Sequence, residues 1–195
     1  DWNFDGSSTE QATGTNSEVI LKPVRIYKDP FINSLDSLDS LDSYLVLCET
    51  YTLNNVPHIT NTRKIARDIF TINNNKSFKP LFGIEHEFFI MQKNTTNCTY
   101  LPSAYYEPIG FEHVPKKQGD YYCSVGYEKF NGQQFLDEAL LLCLKAELDV
   151  TGSNMEVCPG QAEIQICSKN IKAADDSVIL KYILHRFEEK YRYKI

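Results

Sequence analysis

The sequence predicts an α+β fold built on a mainly antiparallel sheet. Runs rich in β-branched and aromatic residues alternate along the chain with segments whose apolar residues recur at helical spacing. Of the 195 residues, 42% are hydrophobic, which is enough for one core of ordinary size and part of a second, small domain. This alternation of strands and helices is typical of α+β domains.

The first elements predicted are two strands, VILKPVRIYKD at residues 19–29 and YLVLCETYT at 44–52. Between them lies the repeat SLDSLDSLDS, whose period of three matches neither a helix nor a strand. The repeat predicts a solvated surface insertion. Trp2 and Phe4 stand at strand spacing at the start of the chain with nothing before them to pair with, so we expect further residues upstream.

The character of the chain changes after Pro57, and a domain boundary is expected near residues 53–60. The segment NTRKIARDIF places Ile65 and Ile69 on one helical face and is followed by the breaker NNN. Strands are then predicted at LFGIEHEFFI, DYYCSVGY and QAEIQI, with a helix through FLDEALLLCLKAEL before the last of them. The final helix, VILKYILHRFEEKYRYKI, has no Gly or Pro stop signal, so we expect the chain to continue beyond it.

Charge and composition exclude several function classes. A net charge of −6 argues against nucleic acid, whose partners present a basic face. No run approaches the roughly 20 apolar residues that a membrane span needs. The six cysteines form no CxxC pair and several lie in apolar runs, which favours reduced, mostly buried thiols and a cytoplasmic protein.

Two pairs of carboxylates stand out. In the strand GIEHEFF the side chains of Glu85 and Glu87 point to the same face, about 7 Å apart. At that spacing they repel unless a cation or solvent lies between them. Farther along, Glu156 precedes a Pro-Gly turn and Glu163 follows it, so the turn can fold the two together. Oxygen ligands of this kind select Mg²⁺ or Mn²⁺. A solvated sheet face is the alternative interpretation, because spacing alone does not show that the pairs meet.

Eight motifs, taken together, resemble one family. In chain order they are WNFDGSST, SEVILKP with KDPF, LVLCE, TNTR, FGIEHEF, YYCSVG, GSNMEVCPGQAEIQI and YILHRFEEKY. Their order and spacing resemble those of eukaryotic-type glutamine synthetases over nearly the whole chain. The resemblance implies an enzyme, an ATP-dependent ligase that joins ammonia to the γ-carboxylate of L-glutamate through γ-glutamyl phosphate. It also implies two Mg²⁺ or Mn²⁺ ions that neutralise phosphate charge during transfer.

The resemblance assigns roles to the carboxylates. Glu87, Glu156 and Glu163 match the ligands of the metal nearer glutamate and ammonia, and Glu85 matches a ligand of the metal nearer ATP. The remaining two ligands of that second metal, a His and a Glu, are expected downstream of Ile195. We therefore expect the 195-residue chain to be inactive by itself.

Further roles follow from the same resemblance. Asp5 matches an aspartate that binds and deprotonates ammonium and that a neighbouring subunit supplies. The active sites of the family form between subunits of a double-ring homo-oligomer, commonly a decamer. Residues 1–53 correspond to the remainder of an N-terminal β-grasp domain, and residues 54–195 to the first half of the catalytic domain. The residues implied in ATP binding are Glu85, Glu163, Ile164, Gln165, Ile166, Cys167 and Ser168.

Four positions depart from the family pattern. Leu81 and Ala162 stand where Trp is usual, His86 replaces Gln, and Cys167 replaces Gly. Loss of an aromatic surface near the adenine is expected to weaken nucleotide binding. Two other functions stay open at this point: a non-catalytic structural or interaction protein of the same family, and a ligase that makes a γ-glutamyl amide from another amine.

Overall fold

The computed structural model describes residues 2–32, 42–73, 79–93, 106–109, 117–126 and 132–195. It divides into two compact units. The first comprises Asp1–Pro80 and Lys169–Asp175, and the second comprises Leu81–Ser168 and Asp176–Ile195. The SLDSLDSLDS repeat falls almost wholly outside the described residues. The boundary predicted near residue 53 separates the family's N-terminal and catalytic domains, which differ from these two units, and it stays a prediction.

The first unit is built on a three-stranded antiparallel sheet. The sheet has the order β1 (Trp2–Asp5), β2 (Glu18–Lys28) and β3 (Tyr44–Tyr51). A bulge between Pro23 and Arg25 interrupts the pairing of β2 with β3, at a proline, which has no N–H to donate. Helix α1 (Thr62–Asn73) follows, and the side chain of Asn61 caps its start by accepting a hydrogen bond from the Lys64 N–H.

The interior of the first unit contains a network of ion pairs. The carboxylates of Glu49 and Asp175 are 1% and 2% exposed. Arg63 bridges them, with Nη1 2.6 Å from Glu49 Oε1 and Nε 2.8 Å from Asp175 Oδ1. Arg67 makes a second pair with Glu49 at 2.9 Å, and Arg25 a second pair with Asp175 at 2.8 Å. Each buried acid is thus held by two arginines.

The second unit contains a sheet of order β4-β8-β7 and a two-stranded hairpin. Its strands are β4 (Leu81–Phe89), β5 (Met91–Lys93), β6 (Tyr106–Pro108), β7 (Val150–Met155) and β8 (Gln161–Lys169). Strands β7 and β8 pair antiparallel, with Asn154 opposite Glu163. The helices are α2 (Gln133–Lys145) and α3 (Lys172–Tyr191), the first turn of which belongs to the first unit. Phe135 on α2 packs against Phe187 on α3, with ring centroids 5.0 Å apart, and closes the core.

The predicted α+β fold class is confirmed, and most predicted elements are present. The strand predicted at DYYCSVGY is wrong, because the described part of this segment forms turns. Gly119, Cys123 and Gly126 all have positive φ, of 97°, 50° and 103°, which an extended strand does not allow. Strand β7 was not predicted, and α3 begins at Lys172, six residues before the predicted start.

The five described cysteines are free thiols. Cys143 is buried, and burial raises the pKa of its thiol to about 12. Cys123 is exposed and the other three are intermediate, so the expectation of mostly buried thiols is wrong. None of the helices in the described parts of the chain is long and apolar enough to cross a membrane.

Gly160 of the second unit has little room for a side chain. Its φ is +70°, and a Cβ there would lie 3.0 Å from the backbone N of Ile109 and from the backbone O of Ile90. We expect Gly160→Ala to lower the free energy of unfolding by about 3 kcal/mol in urea titration, since strain and overlap add. Gly14→Ala is the matched control, because nothing lies within 4 Å of its Cβ position. Equal stability of the two variants would contradict this account.

Candidate metal centre

Strand β4 separates its side chains as its alternation predicts. Glu85 and Glu87 are exposed on one face, whereas Ile84, His86 and Phe88 are half-buried on the other. His86 Nε2 lies 2.9 Å from Ser177 Oγ on α3. The replacement of the family's usual Gln by His86 therefore lies on the face of β4 turned away from the two carboxylates.

Strand β8 adds a third carboxylate to this pair. Because β8 is the sheet neighbour of β4, it carries Glu163 to the same place, and the three glutamates each offer an oxygen within 4.8 Å of the others. Glu163 is 4% exposed, while Glu85 and Glu87 are exposed. The structure thus brings together three of the four glutamates that the sequence suggests as metal ligands.

The donor set fits a hard divalent cation. Mg²⁺ holds its oxygens at about 2.0–2.1 Å, so two oxygens on opposite sides of the ion are about 4 Å apart. The three carboxylate oxygens all lie within 4.8 Å of one another, an upper limit close to that span. Three carboxylates so close together repel one another, and a divalent cation would neutralise most of their charge. With only carboxylates as donors, Mg²⁺ or Mn²⁺ is preferred to zinc.

Glu156, just after β7, is not one of the three. Its Oε1 accepts a hydrogen bond from Asn154 Nδ2 at 3.3 Å, and its Oε2 accepts one from the Val157 N–H at 3.2 Å. The adjacent Cys123 contributes most to raising the pKa of the Tyr122 hydroxyl, and the charges of Glu156 and Glu163 add to it.

Two glutamines orient the carboxylates. Gln161 Nε2 donates to Glu87 Oε2 at 2.7 Å, and Gln165 Nε2 donates to Glu163 Oε1 at 2.6 Å. Partners of this kind fix the direction in which a ligand oxygen points. Gln161, Glu163 and Gln165 share one face of β8, so the pattern Q-x-E-x-Q in a strand was the signal that could have identified Gln161. Gln165 had been associated only with the nucleotide.

The stretch implied in ATP binding is largely internal. Ile164 and Ile166 are fully buried and belong to the core. Ser168 is buried, and its hydroxyl donates to the carboxylate of Asp149. Cys167 is half-buried, and its backbone N–H donates to the Asp149 carbonyl at 3.0 Å. Among the four, Cys167 thus has the most exposed side chain.

Two of the family departures lie in different surroundings. Ala162 is fully buried, on the face of β8 opposite Glu163, so the loss of Trp there concerns packing of the core. Leu81 is 60% exposed at the start of β4. An exposed aliphatic residue stands there in place of an aromatic surface.

Asp5 belongs to the first unit, where it ends β1. Its Oδ1 accepts hydrogen bonds from the Ser7 N–H at 3.0 Å and the Ser7 hydroxyl at 2.6 Å. The hydrogen bond from the Ser7 hydroxyl, and then that from the Ser7 backbone, lower the pKa of Asp5, which stays ionised at neutral pH. The next residue is glycine, and a Cβ on Gly6 would lie 2.4 Å from Val19 Cγ2, so Val19 would have to move.

The fold and the site together define a class: an α+β domain whose sheet presents clustered carboxylates of the kind that hold Mg²⁺ or Mn²⁺. The family model described as glutamine synthetase, catalytic domain, matches residues 60–195. The chain therefore belongs to the glutamine synthetase family.

Individual relatives agree. The chain is 42% identical over 191 residues to "Putative glutamine synthetase" of Acanthamoeba polyphaga mimivirus, an alignment that covers 97% of this chain and 49% of that protein. It is 40% identical over 189 residues to glutamine synthetase root isozyme 2 of Zea mays, covering 96% of this chain and 47% of that one. The chain thus spans about half the length of these curated relatives.

A solved structure shows the same fold. The cryo-EM structure of Plasmodium falciparum glutamine synthetase matches with a TM-score of 0.71 at 16% sequence identity. The match covers 99% of this chain and 40% of that chain. At this sequence identity the match shows the fold alone.

Proposed function

We propose that the full-length protein is a glutamine synthetase: ATP transfers its γ-phosphoryl group to the γ-carboxylate of L-glutamate, leaving ADP, and ammonia then displaces phosphate from γ-glutamyl phosphate to give glutamine. The observation that carries the proposal is the convergence of Glu85, Glu87 and Glu163 in a domain of this family. A carboxylate is a poor electrophile until one of its oxygens is made a good leaving group, and transfer of a phosphoryl group from ATP does this.

The carboxylates have two proposed tasks. Glu87, Glu156 and Glu163 would hold one Mg²⁺ or Mn²⁺, and Glu85 would contribute to a second. When bound, the cations neutralise charge on the phosphates and orient them. The chain's own part is to keep the oxygens in place, which Gln161 does for Glu87 at 2.7 Å.

Asp5 is proposed to serve the ammonium ion. Its hydrogen bonds with Ser7 lower its pKa and hold the carboxylate in one position, so it offers a fixed negative charge to a cation. In the proposed homo-oligomer, a decamer in which active sites form between subunits, Asp5 of one subunit would serve the carboxylates of its neighbour.

The test is an assay of the full-length protein. We expect one ADP and one phosphate for each glutamine formed, and no turnover without Mg²⁺ or Mn²⁺. A parallel reaction with methylamine in place of ammonia tests which amine the enzyme accepts. Faster turnover with methylamine would favour a γ-glutamyl amide ligase, and no turnover with either amine would favour a non-catalytic protein.

The 195-residue chain by itself is expected to form no glutamine under the same conditions. Two ligands of the second metal are expected downstream of Ile195, so this chain would hold one proposed set of metal ligands and part of another. The measurement is ATP- and ammonia-dependent glutamine formation by the purified chain, with the full-length protein as the positive control. Any such activity above background would contradict the prediction.

A further inference from the structure

A cavity of about 210 Å³ opens in the first unit, where the last turn of α1 faces the start of α3. Four of its lining residues are cationic, and no carboxylate is among the described lining residues. Phe70 supplies an apolar wall. We call it the basic cavity; its cations are Arg25, Arg67, Lys169 and Lys172.

Buried acids hold the two arginines of the basic cavity in place. Arg25 Nε donates to Asp175 Oδ2 at 2.8 Å, and Arg67 Nη1 lies 2.9 Å from Glu49 Oε2. Arg67 Nη2 also donates to the Tyr51 hydroxyl at 3.3 Å. The arginine side chains are nevertheless 31% and 37% exposed, so each is fixed at one edge and open at another. A ligand that binds such pre-positioned groups loses little side-chain entropy in ordering them.

The two acids do not balance the positive charge around the cavity. Arg63 already contacts both Glu49 and Asp175 through its own guanidinium. Three arginines therefore share these two carboxylates, and the exposed Lys169 adds a further positive charge to the lining. The ends of α1 and α3 contribute half charges of opposite sign, which largely cancel. The cationic side chains of the lining therefore decide which ligand the cavity favours, and an anion would relieve the repulsion among them.

The size of the cavity limits the ligand. A volume of about 210 Å³ is below the roughly 300–1,000 Å³ typical of sites for drug-sized molecules. The cavity therefore has room for a phosphate group with a short carbon chain against Phe70.

We propose that the basic cavity binds a small phosphate-bearing anion. Arginine forks match the oxygens of phosphate, and lysines add point charges without a fixed direction. The proposal does not depend on the proposed ligase activity, because the basic cavity shares no lining residue with the carboxylates of the second unit.

The experiment measures binding of inorganic phosphate to the full-length protein by equilibrium dialysis in EDTA at constant ionic strength. Without divalent cations the carboxylates repel phosphate, so this centre does not compete. We expect one saturable site per chain with a dissociation constant of about 1 mM or tighter. Lys169→Gln should weaken binding about tenfold and Lys169→Glu about a hundredfold, because the first removes a charge and the second reverses it.

Lys117→Gln, an exposed lysine of the second unit, is the control and should bind phosphate as the parent does. Thermal unfolding without phosphate should show both Lys169 variants at least as stable as the parent, since each reduces repulsion. The proposal is overturned if phosphate binding does not saturate, or if both Lys169 variants bind as the parent does. It is equally overturned if succinate binds more tightly than phosphate.

Discussion

Arg63→Ala should lower the free energy of unfolding by about 3–5 kcal/mol, the cost typical of breaking a buried ion pair from one side. The side chain donates to Asp175 from Nε and Nη2 and to Glu49 from Nη1, and both acids are buried. Burial works to lower the pKa of Arg63, but hydrogen bonds and charge from Asp175 and Glu49 outweigh it and raise the pKa. Removal of the guanidinium would leave two buried carboxylates with weaker compensation.

Lys64→Ala provides the matched control for this prediction. Lys64 is the next residue on α1 and pairs with Asp68, which is 51% exposed, so its loss should cost about 0.5 kcal/mol. Arg63→Lys should fall between the two, because an ammonium cannot form the fork that reaches both acids. Urea midpoints at constant ionic strength give the comparison. If Arg63→Ala cost less than about 1 kcal/mol, the buried pairs would not have the importance assigned to them.

The ion-pair network around Arg63 could not be predicted from the sequence. Arg63 and Asp175 are 112 residues apart in the chain, and no local pattern joins them. Asp175 and Asp176 lie in a polar stretch before the apolar repeat of α3, so the helix was expected to start later. Both are buried: Asp175 by its arginine partners, and Asp176 by accepting the Asp149 N–H at 3.0 Å. Charged residues that are buried with partners cannot be distinguished from solvated ones by periodicity.

The metal centre, too, could be predicted from the sequence only in part. Alternation along β4 sufficed to place Glu85 beside Glu87. Glu163 lies beside them because β4 pairs with β8. The residues of these strands are far apart in sequence; Gln161 and Glu87, for example, are separated by 74 positions. The segment around Tyr122 was misassigned because tyrosine and valine favour strands, whereas Gly119 and Gly126 turn the backbone into the left-handed region.

Glu87→Gln should have opposite effects on the protein with and without a cation. The three carboxylates have oxygens within 4.8 Å of one another, so removing one charge relieves repulsion when no cation is bound. The glutamine carbonyl can still accept the hydrogen bond that Gln161 donates, so the local structure should be kept. In EDTA the variant should therefore unfold at the same temperature as the parent or at a higher one.

With Mn²⁺ bound, the parent should be more stable than the Glu87→Gln variant. Loss of residues that only orient a ligand costs 10- to 100-fold in affinity, so loss of a ligand should cost about 100-fold or more. The parent should gain about 2.7 kcal/mol at a Mn²⁺ concentration 100 times its dissociation constant, and the variant should gain little at the same concentration. Synthesis of glutamine by the full-length variant should fall below detection.

Glu189→Gln supplies the control, since it removes an exposed carboxylate of α3 and should change neither result. A variant at position 87 that was stabilised by Mn²⁺ as strongly as the parent would remove Glu87 from the metal site. One that bound Mn²⁺ weakly and still made glutamine at the parental rate would separate the carboxylates from the chemistry. Because the cation-free and cation-bound effects have opposite signs, a merely misfolded variant, which would be less stable in both conditions, cannot imitate the expected result.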